Sequence, residues 1–329
     1  MIKKIGFLMN YSLLLLLILG LSTVFAGDNE KLERTFSVKS GGTLKLDSNV
    51  GSIEVESTNR EEVKVIVIRE FKGWDDDDME DFLDDFMIDF EHSAADVEVT
   101  ARLKGRWKNS WNHVRIRFLV EVPKKYNVDL KTSGGSISVE DLEGEVEAYT
   151  SGGSLNFGNI RGEVKGQTSG GSISLQGSEG DAYIRTSGGS ISVGEVNGDV
   201  DAHTSGGSIS IEQADGEVSV KTSGGSIHVE EVMGSLNAST SGGSVTAYIA
   251  KQPESDSRLK TSGGSIKVYL PKSAAVYVDA KTSWGKVECD FDVLVRGSQE
   301  KNQLRGEING GGPELHLRTS GSNIYILEK

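Results

Sequence analysis

The chain has 329 residues, a net charge of −14, one Cys, 41 Gly and only 4 Pro. So acidic a chain argues against nucleic acid as a partner and against simple adsorption to anionic lipid, since both need a basic surface. A single Cys allows no intramolecular disulfide, and abundant Gly without a three-residue period is wrong for collagen.

Residues 1–26 read as a secretory signal. Lys3 and Lys4 precede an apolar core over 13–21, and Val24-Phe25-Ala26 fits a small-x-small cleavage site. Cleavage there starts the mature chain near Gly27. It removes two Lys and no acid, which takes the net charge from −14 to −16. If retained, the segment is nearly long enough to be an anchor. No later apolar run could span a membrane, so the expectation is an exported protein, periplasmic or at the cell surface.

Residues 27–131 form an N-terminal β section. Alternating or β-branched runs predict strands over 34–38, 43–47, 52–56, 63–69, 95–103, 114–122 and 126–131. Asn49-Val50-Gly51-Ser52-Ile53 looks like a degenerate forerunner of a repeat that follows. One stretch breaks the pattern. Over 75–90, Met79, Phe82, Leu83, Phe86, Met87 and Phe90 lie on one helical face, after four consecutive Asp. The spacing predicts an acidic helical insertion over 75–90 that packs its apolar face on the sheet. The basic stretch that follows, with Arg102, Lys104, Arg106, Lys108, Arg115, Arg117, Trp107 and Trp111, is expected to lie against it. The second reading is a sugar-contacting loop.

Residues 132–249 are a strict repeat of the phrase TSGGSI, which begins at Thr132, Thr150, Thr168, Thr186, Thr204, Thr222 and Thr240, 18 residues apart. Gly recurs every nine residues from Gly135 to Gly243, and the positions two and four after each Gly are never polar. A short strand with one buried face, bounded by Gly, is the reading of each half-period. Two strands per period predict an all-β, two-sheet parallel β-solenoid, right-handed, with 18-residue coils about 4.8 Å apart. Roughly nine or ten coils would make a rod on the order of 45 Å long.

Parity points each Thr of the phrase inward, where the hydroxyls are expected to satisfy one another along the stack. Ser136, Ser154, Ser172, Ser190, Ser208, Ser226 and Ser244 are left as an outward row, beside Ser138, Asn156, Ser174, Ser192, Ser210, His228 and Thr246. The serine row is read first as the small residue a Gly-Gly turn requires, and second as a candidate surface for a glycan- or ice-like lattice. Glu145, Glu163, Asp181, Asp199 and Glu217 form an acidic column, expected to be solvated or to hold cations. A calcium roll needs Asp where this repeat has Ser or Asn. Over 250–329 the period loosens to 21 residues and the phrase decays to TSWGKV and TSGSNI, which predicts irregular coils and a cap.

The five His are scattered, and no zinc, phosphate-loop or nucleophile-elbow motif occurs, so no cofactor, metal or catalytic residue is assigned. Taken together, Ser40-Gly41-Gly42-Thr43-Leu44, Gly51-Ser52-Ile53-Glu54-Val55, Val120-Glu121-Val122-Pro123, the TSGGSI array, Val268-Tyr269-Leu270-Pro271 and the TSGSNIYIL ending resemble a bacterial β-strand-repeat family labelled putative adhesin, a domain of unknown function. That resemblance implies a non-enzymatic protein and transfers no site residue. The expected role is presentation of repetitive surface rows to a glycan or other cell-envelope component. A structural, self-associating envelope protein is the alternative, and a polysaccharide-cleaving enzyme the lesser one.

Overall fold

The computed structural model describes residues 22–26, 29–105, 113–295 and 300–329. The N-terminal strands are β1 (Ser22–Ala26), β2 (Asn29–Ser37), β3 (Thr43–Ser48), β4 (Ser52–Thr58) and β5 (Glu62–Phe71), followed by helix α1 (Asp76–Asp85). Then come β6 (Phe86–His92), β7 (Val97–Leu103), β8 (Val114–Pro123) and β9 (Asn127–Thr132). The array supplies β10 (Ile137–Val139), β11 (Val146–Thr150), β12 (Leu155–Ile160), β13 (Val164–Gln167), β14 (Ile173–Ser178), β15 (Ala182–Arg185) and β16 (Ile191–Val196). It continues as β17 (Val200–His203), β18 (Ile209–Ala214), β19 (Val218–Lys221), β20 (Ile227–Val232), β21 (Leu236–Ser239) and β22 (Val245–Ile249). The last strands are β23 (Ser257–Lys260), β24 (Ile266–Leu270), β25 (Val276–Thr282), β26 (Val287–Cys289), β27 (Val293–Leu294), β28 (Gln303–Ile308), β29 (Glu314–Thr319) and β30 (Ile324–Glu328).

These strands build two sheets of 15 strands each, facing one another across one continuous core. Through the array the even-numbered strands stack in sheet A and the odd-numbered in sheet B, parallel and displaced by one 18-residue coil, as in Ile191↔Ile209 and Val200↔Val218. The expected parallel two-sheet solenoid is the observed fold. Every one of the alternating apolar slots after the nine-residue glycines is buried, Gly166 included. The degenerate Ile53 holds the predicted place, in register with Ile137. Strands at both ends lengthen the stack to roughly 65 Å at the usual strand spacing.

The ends depart from chain order. The β7–β8 coil lies outside the β3–β4 coil, although it comes later in sequence, and β9 returns to pair with β3. At the other end β29 and β30 slide between β23–β24 and β25–β26, so the last coil in sequence is not the last in space. Antiparallel strands finish each sheet where the parallel coils stop: β8–β5–β2–β1, β7–β6 and β25–β28–β27.

The helix is shorter than its periodicity predicts. Asp75 caps it by accepting from the Asp78 amide at 2.9 Å, but it ends at Asp85. From Phe86 the chain is β6, paired antiparallel with β7, because a ladder of backbone hydrogen bonds is available there. Phe82 and Phe86 are buried as expected, and Phe82 packs edge-on against Phe71 and Trp74. Met87 is turned out to solvent by the strand's alternation. Arg102 pairs with Asp47 at 2.6 Å and Arg117 with Glu70 at 2.8 Å, so these two basic side chains bind strand acids rather than the helix. Trp107, Trp111, Arg106 and Lys108 lie outside the described residues, as does the apolar core of the signal segment. Ser22–Ala26, at that segment's end, pairs with β2. Among the described residues no helix is long and apolar enough to cross a membrane.

Candidate functional site

The TSGGS turns set the surface geometry. The inward Thr hydroxyls do not bond one another, contrary to expectation. Each donates instead to a glycine carbonyl of the preceding coil, as Thr168 does to Gly153 and Thr204 to Gly189, at 2.7 and 2.8 Å. Coil spacing along parallel strands brings a carbonyl within reach before it brings another hydroxyl. The second Gly of each pair is needed for contact rather than for unusual backbone angles. A Cβ on Gly207 would stand 2.2 Å from the Gly189 carbonyl oxygen, and no Gly of the array's Gly-Gly turns has positive φ.

The predicted serine row lies at the surface, and its oxygens have work in the scaffold. Ser136 Oγ accepts from the Ser154 amide at 3.1 Å, Ser154 Oγ from Ser172 at 3.3 Å, and so on through Ser172, Ser190, Ser208, Ser226 and Ser244. This ladder accounts for a small hydroxyl beside each turn. It leaves the hydroxyl hydrogens of the exposed members as donors to solvent or ligand.

Two residues further along, the row of Ser138, Asn156 and Ser174 floors a trough on the outer face of sheet A. β10 ends at Val139 while β12 and β14 run on, and the chain leaves the sheet at Glu140 and Asp141, which wall the trough. The trough has a volume of about 470 Å³ and is completed by Gln176. A recess of about 240 Å³, with Ser52, Glu54, Glu56 and Ser136, continues it through the shared Ser138, Glu140 and Asn156. That recess opens in turn, through Ser52, Glu54 and Ser136, into a groove of about 1020 Å³. Lys72, His113, Arg115 and Arg117, from the ends of β5 and β8, line its far side. Arg115 and Arg117 stood out in the sequence as basic residues, but only the β4–β8 pairing sets them beside the first repeat turn. Nothing in the sequence signals Lys72 or His113.

The acidic column is partly absorbed into the scaffold. Asp181 Oδ1 accepts from the Asp199 amide at 2.9 Å, Asp199 Oδ1 from that of Glu217 at 2.7 Å, and Glu163 pairs with Lys165. Among the described residues, three or more metal-ligating side chains converge only at Asp279, Glu314 and His316. Two guanidinium groups already hold Asp279. Arg305 bonds one oxygen at 2.9 Å, and Arg318 bonds the other. Burial pushes this carboxyl up, but the bonds from Arg318 and Arg305 outweigh it and leave it below the ordinary carboxylate value. Such an acid is ionised, with both oxygens occupied, and is a poor candidate for proton transfer or for a cation.

The family model described as Toastrack DUF4097 matches residues 44–326, from β3 into β30. The chain belongs to the Toastrack DUF4097 family. Membership bears out the resemblance that the repeat and its flanking phrases carry. Among solved structures, the Toastrack chain is similar to a "putative cell adhesion protein" from Clostridium sporogenes, with 15% identity, 90% of this chain and 99% of that chain covered, and a TM-score of 0.22. It is similar also to a "putative adhesin" from Bacteroides fragilis (12%, 91% and 97%, 0.33) and to one from Parabacteroides distasonis (10%, 92% and 98%, 0.31). No curated protein matches it in sequence.

Proposed function

We propose that this Toastrack chain is an exported, non-catalytic binding rod whose sheet A face holds an extended glycan of the cell envelope. The observation that carries the reading is the trough floored by Ser138, Asn156 and Ser174, in which one small polar side chain recurs on each coil. Hydroxyl, amide and carboxylate groups at regular spacing suit a polymer that is itself rich in hydroxyls. One weak contact per coil then multiplies through avidity. At one end of the stack the terminal strands β26 and β27 are only three and two residues long, so that end offers little edge for assembly.

Glycan arrays and pull-down on purified cell-wall polysaccharide, with the chain lacking residues 1–26, test the reading. Binding is expected, and Asn156→Arg or Ser174→Arg should weaken it without changing the melting temperature. No retention on any polysaccharide, or retention indifferent to both substitutions, would sink it.

A further inference from the structure

The repeat has one unfinished turn. In every later coil of the array, the first Gly of the phrase and the Ser after the pair direct their amides back to the previous coil. Gly152 donates to Ser133 O at 3.2 Å and Ser154 to Ser136 Oγ at 3.1 Å, and the same bonds recur along the array. In the first coil the equivalent amides of Gly134 and Ser136 have no acceptor among the described residues. The place beneath Gly134 is open, although Gly135 packs closely on Gly51. A Cβ on Gly134 would meet nothing within 4 Å, whereas on Gly152 or Gly206 it would meet the carbonyl oxygen of the coil before at 3.5 or 3.0 Å.

The cause lies in the degenerate coil. Asn49 is held away by the backbone of Leu103, its side chain donating at 3.0 Å and accepting at 2.8 Å. Gly51 turns with φ +89°, and Ser48 Oγ bonds Val50 O at 2.6 Å. Gly51 still lies under Gly135, and Thr132 donates to its carbonyl at 2.8 Å, but residues 49 and 50 do not lie under residues 133 and 134 as one repeat turn lies under the next, and the space becomes part of the groove of about 1020 Å³.

Two oriented amides thus face a cavity whose far side bears cations. Lys72 and Arg115 are exposed and form no ion pair with any described residue. Of the two acids in the lining, Glu70 is engaged by Arg117 at 2.8 Å, and Glu54 stands where the groove meets the trough. In a chain of net charge −14 this is a concave surface with a local cationic excess. Backbone amides converging with Lys and Arg in a recess are the donor set of an oxyanion site. We propose that the groove binds a phosphate-class oxyanion, held by the Gly134 and Ser136 amides and by Lys72 and Arg115. The site stands independently of the glycan reading, although it opens into the same trough.

Amide resonances of the isotope-labelled chain, titrated with inorganic phosphate, test the site. Gly134 and Ser136 should shift, while Gly206 and Ser208, the same positions with their amides already bonded, should not. Lys72→Ala with Arg115→Ala should weaken binding about tenfold or more. Gly134→Phe fills open space without backbone strain and should abolish binding, with an unchanged melting temperature confirming the fold. Shifts spread equally over the later turns, or a response untouched by both variants, would overturn the proposal. A glycerol-phosphate polymer distinguishes the source. Tighter binding than inorganic phosphate, lost in the same variants, supports a polymer-borne group, and equal binding supports free phosphate. Uncharged glycan should still bind Gly134→Phe; if it binds neither protein while phosphate shifts Gly134, the trough reading alone falls.

Discussion

Thr204 shows what one side chain contributes to this stack. Its hydroxyl is buried, donates to Gly189 O at 2.8 Å and accepts from Gly207 N at 3.4 Å, so it ties its own turn to the coil before. Thr204→Val keeps the shape but strands a buried carbonyl, and should cost about 1–2 kcal/mol in denaturant unfolding. Glycines of the same phrase should behave oppositely according to their surroundings. Gly207→Ala drives a Cβ against backbone of the coil before and should cost about 3 kcal/mol. Gly134→Ala meets open space and should stay within about 0.5 kcal/mol of the parent. The two differ first in place, since the second Gly of each pair packs tightly in every coil; what only the structure shows is that Gly134 is looser than its equivalent Gly206, whose Cβ would meet the Gly188 carbonyl oxygen at 3.0 Å. Tyr126 gives a pH signature. Its buried hydroxyl donates to Ala95 O, and burial, with the nearby Asp96 charge second, pushes its pKa from 10.0 up to about 12. The folded state thus favours the neutral phenol. Its contribution is whole below pH 10.0 and is lost as pH rises towards 12. Tyr149, bonded to Glu147 and partly buried, is also raised to about 12. Tyr126→Phe should therefore remove part, not all, of the alkaline fall in stability. Thermal melts of both proteins below pH 10.0 and near pH 12 check this.

At the scale of elements, the strands of the array were legible because period-2 burial, Gly spacing and turn chemistry agree at every coil. The helix was legible only in its first half. The periodicity of Phe86, Met87 and Phe90 satisfies a helix and a strand about equally, and pairing with β7 decides for the strand. α1 is held mainly by Phe82, with ring centroids 5.5 Å from Phe71 and 5.6 Å from Trp74. Phe82→Ala should release it, seen as faster amide hydrogen exchange over residues 76–85 while exchange in β14–β20 stays slow. Asp75→Ala removes the cap and should cost the helix about 1 kcal/mol by the same measurement. The trough was not legible as a shape. Its polar row was marked out by parity, but its walls depend on where β10 stops, and the sequence of that coil does not differ from its neighbours in any way that announces an early end.

The whole molecule behaves as a one-dimensional stack. Because each coil touches its two neighbours, excising residues 186–203 removes one coil and rejoins equivalent positions, so the fold should survive with a lowered but single melting transition. Excising residues 186–194 instead sets a sheet B strand in a sheet A place and should give loss of cooperative unfolding and aggregation. Circular dichroism melts of the two deletions separate these outcomes. The sequence by itself determined the coil, its two buried slots per strand, the inward Thr and the family, since all of these follow from side-chain parity within a few residues. The tertiary structure decided which coil lies on which: β7–β8 beyond β3–β4, β29–β30 slipped inside β25–β26, and a gap beneath Gly134. Parallel strands of near-identical sequence pair almost equally well in several orders. The order is therefore fixed by remote contacts, such as Asn49 on Leu103 and Thr282 on Ser322 O, which no local pattern encodes.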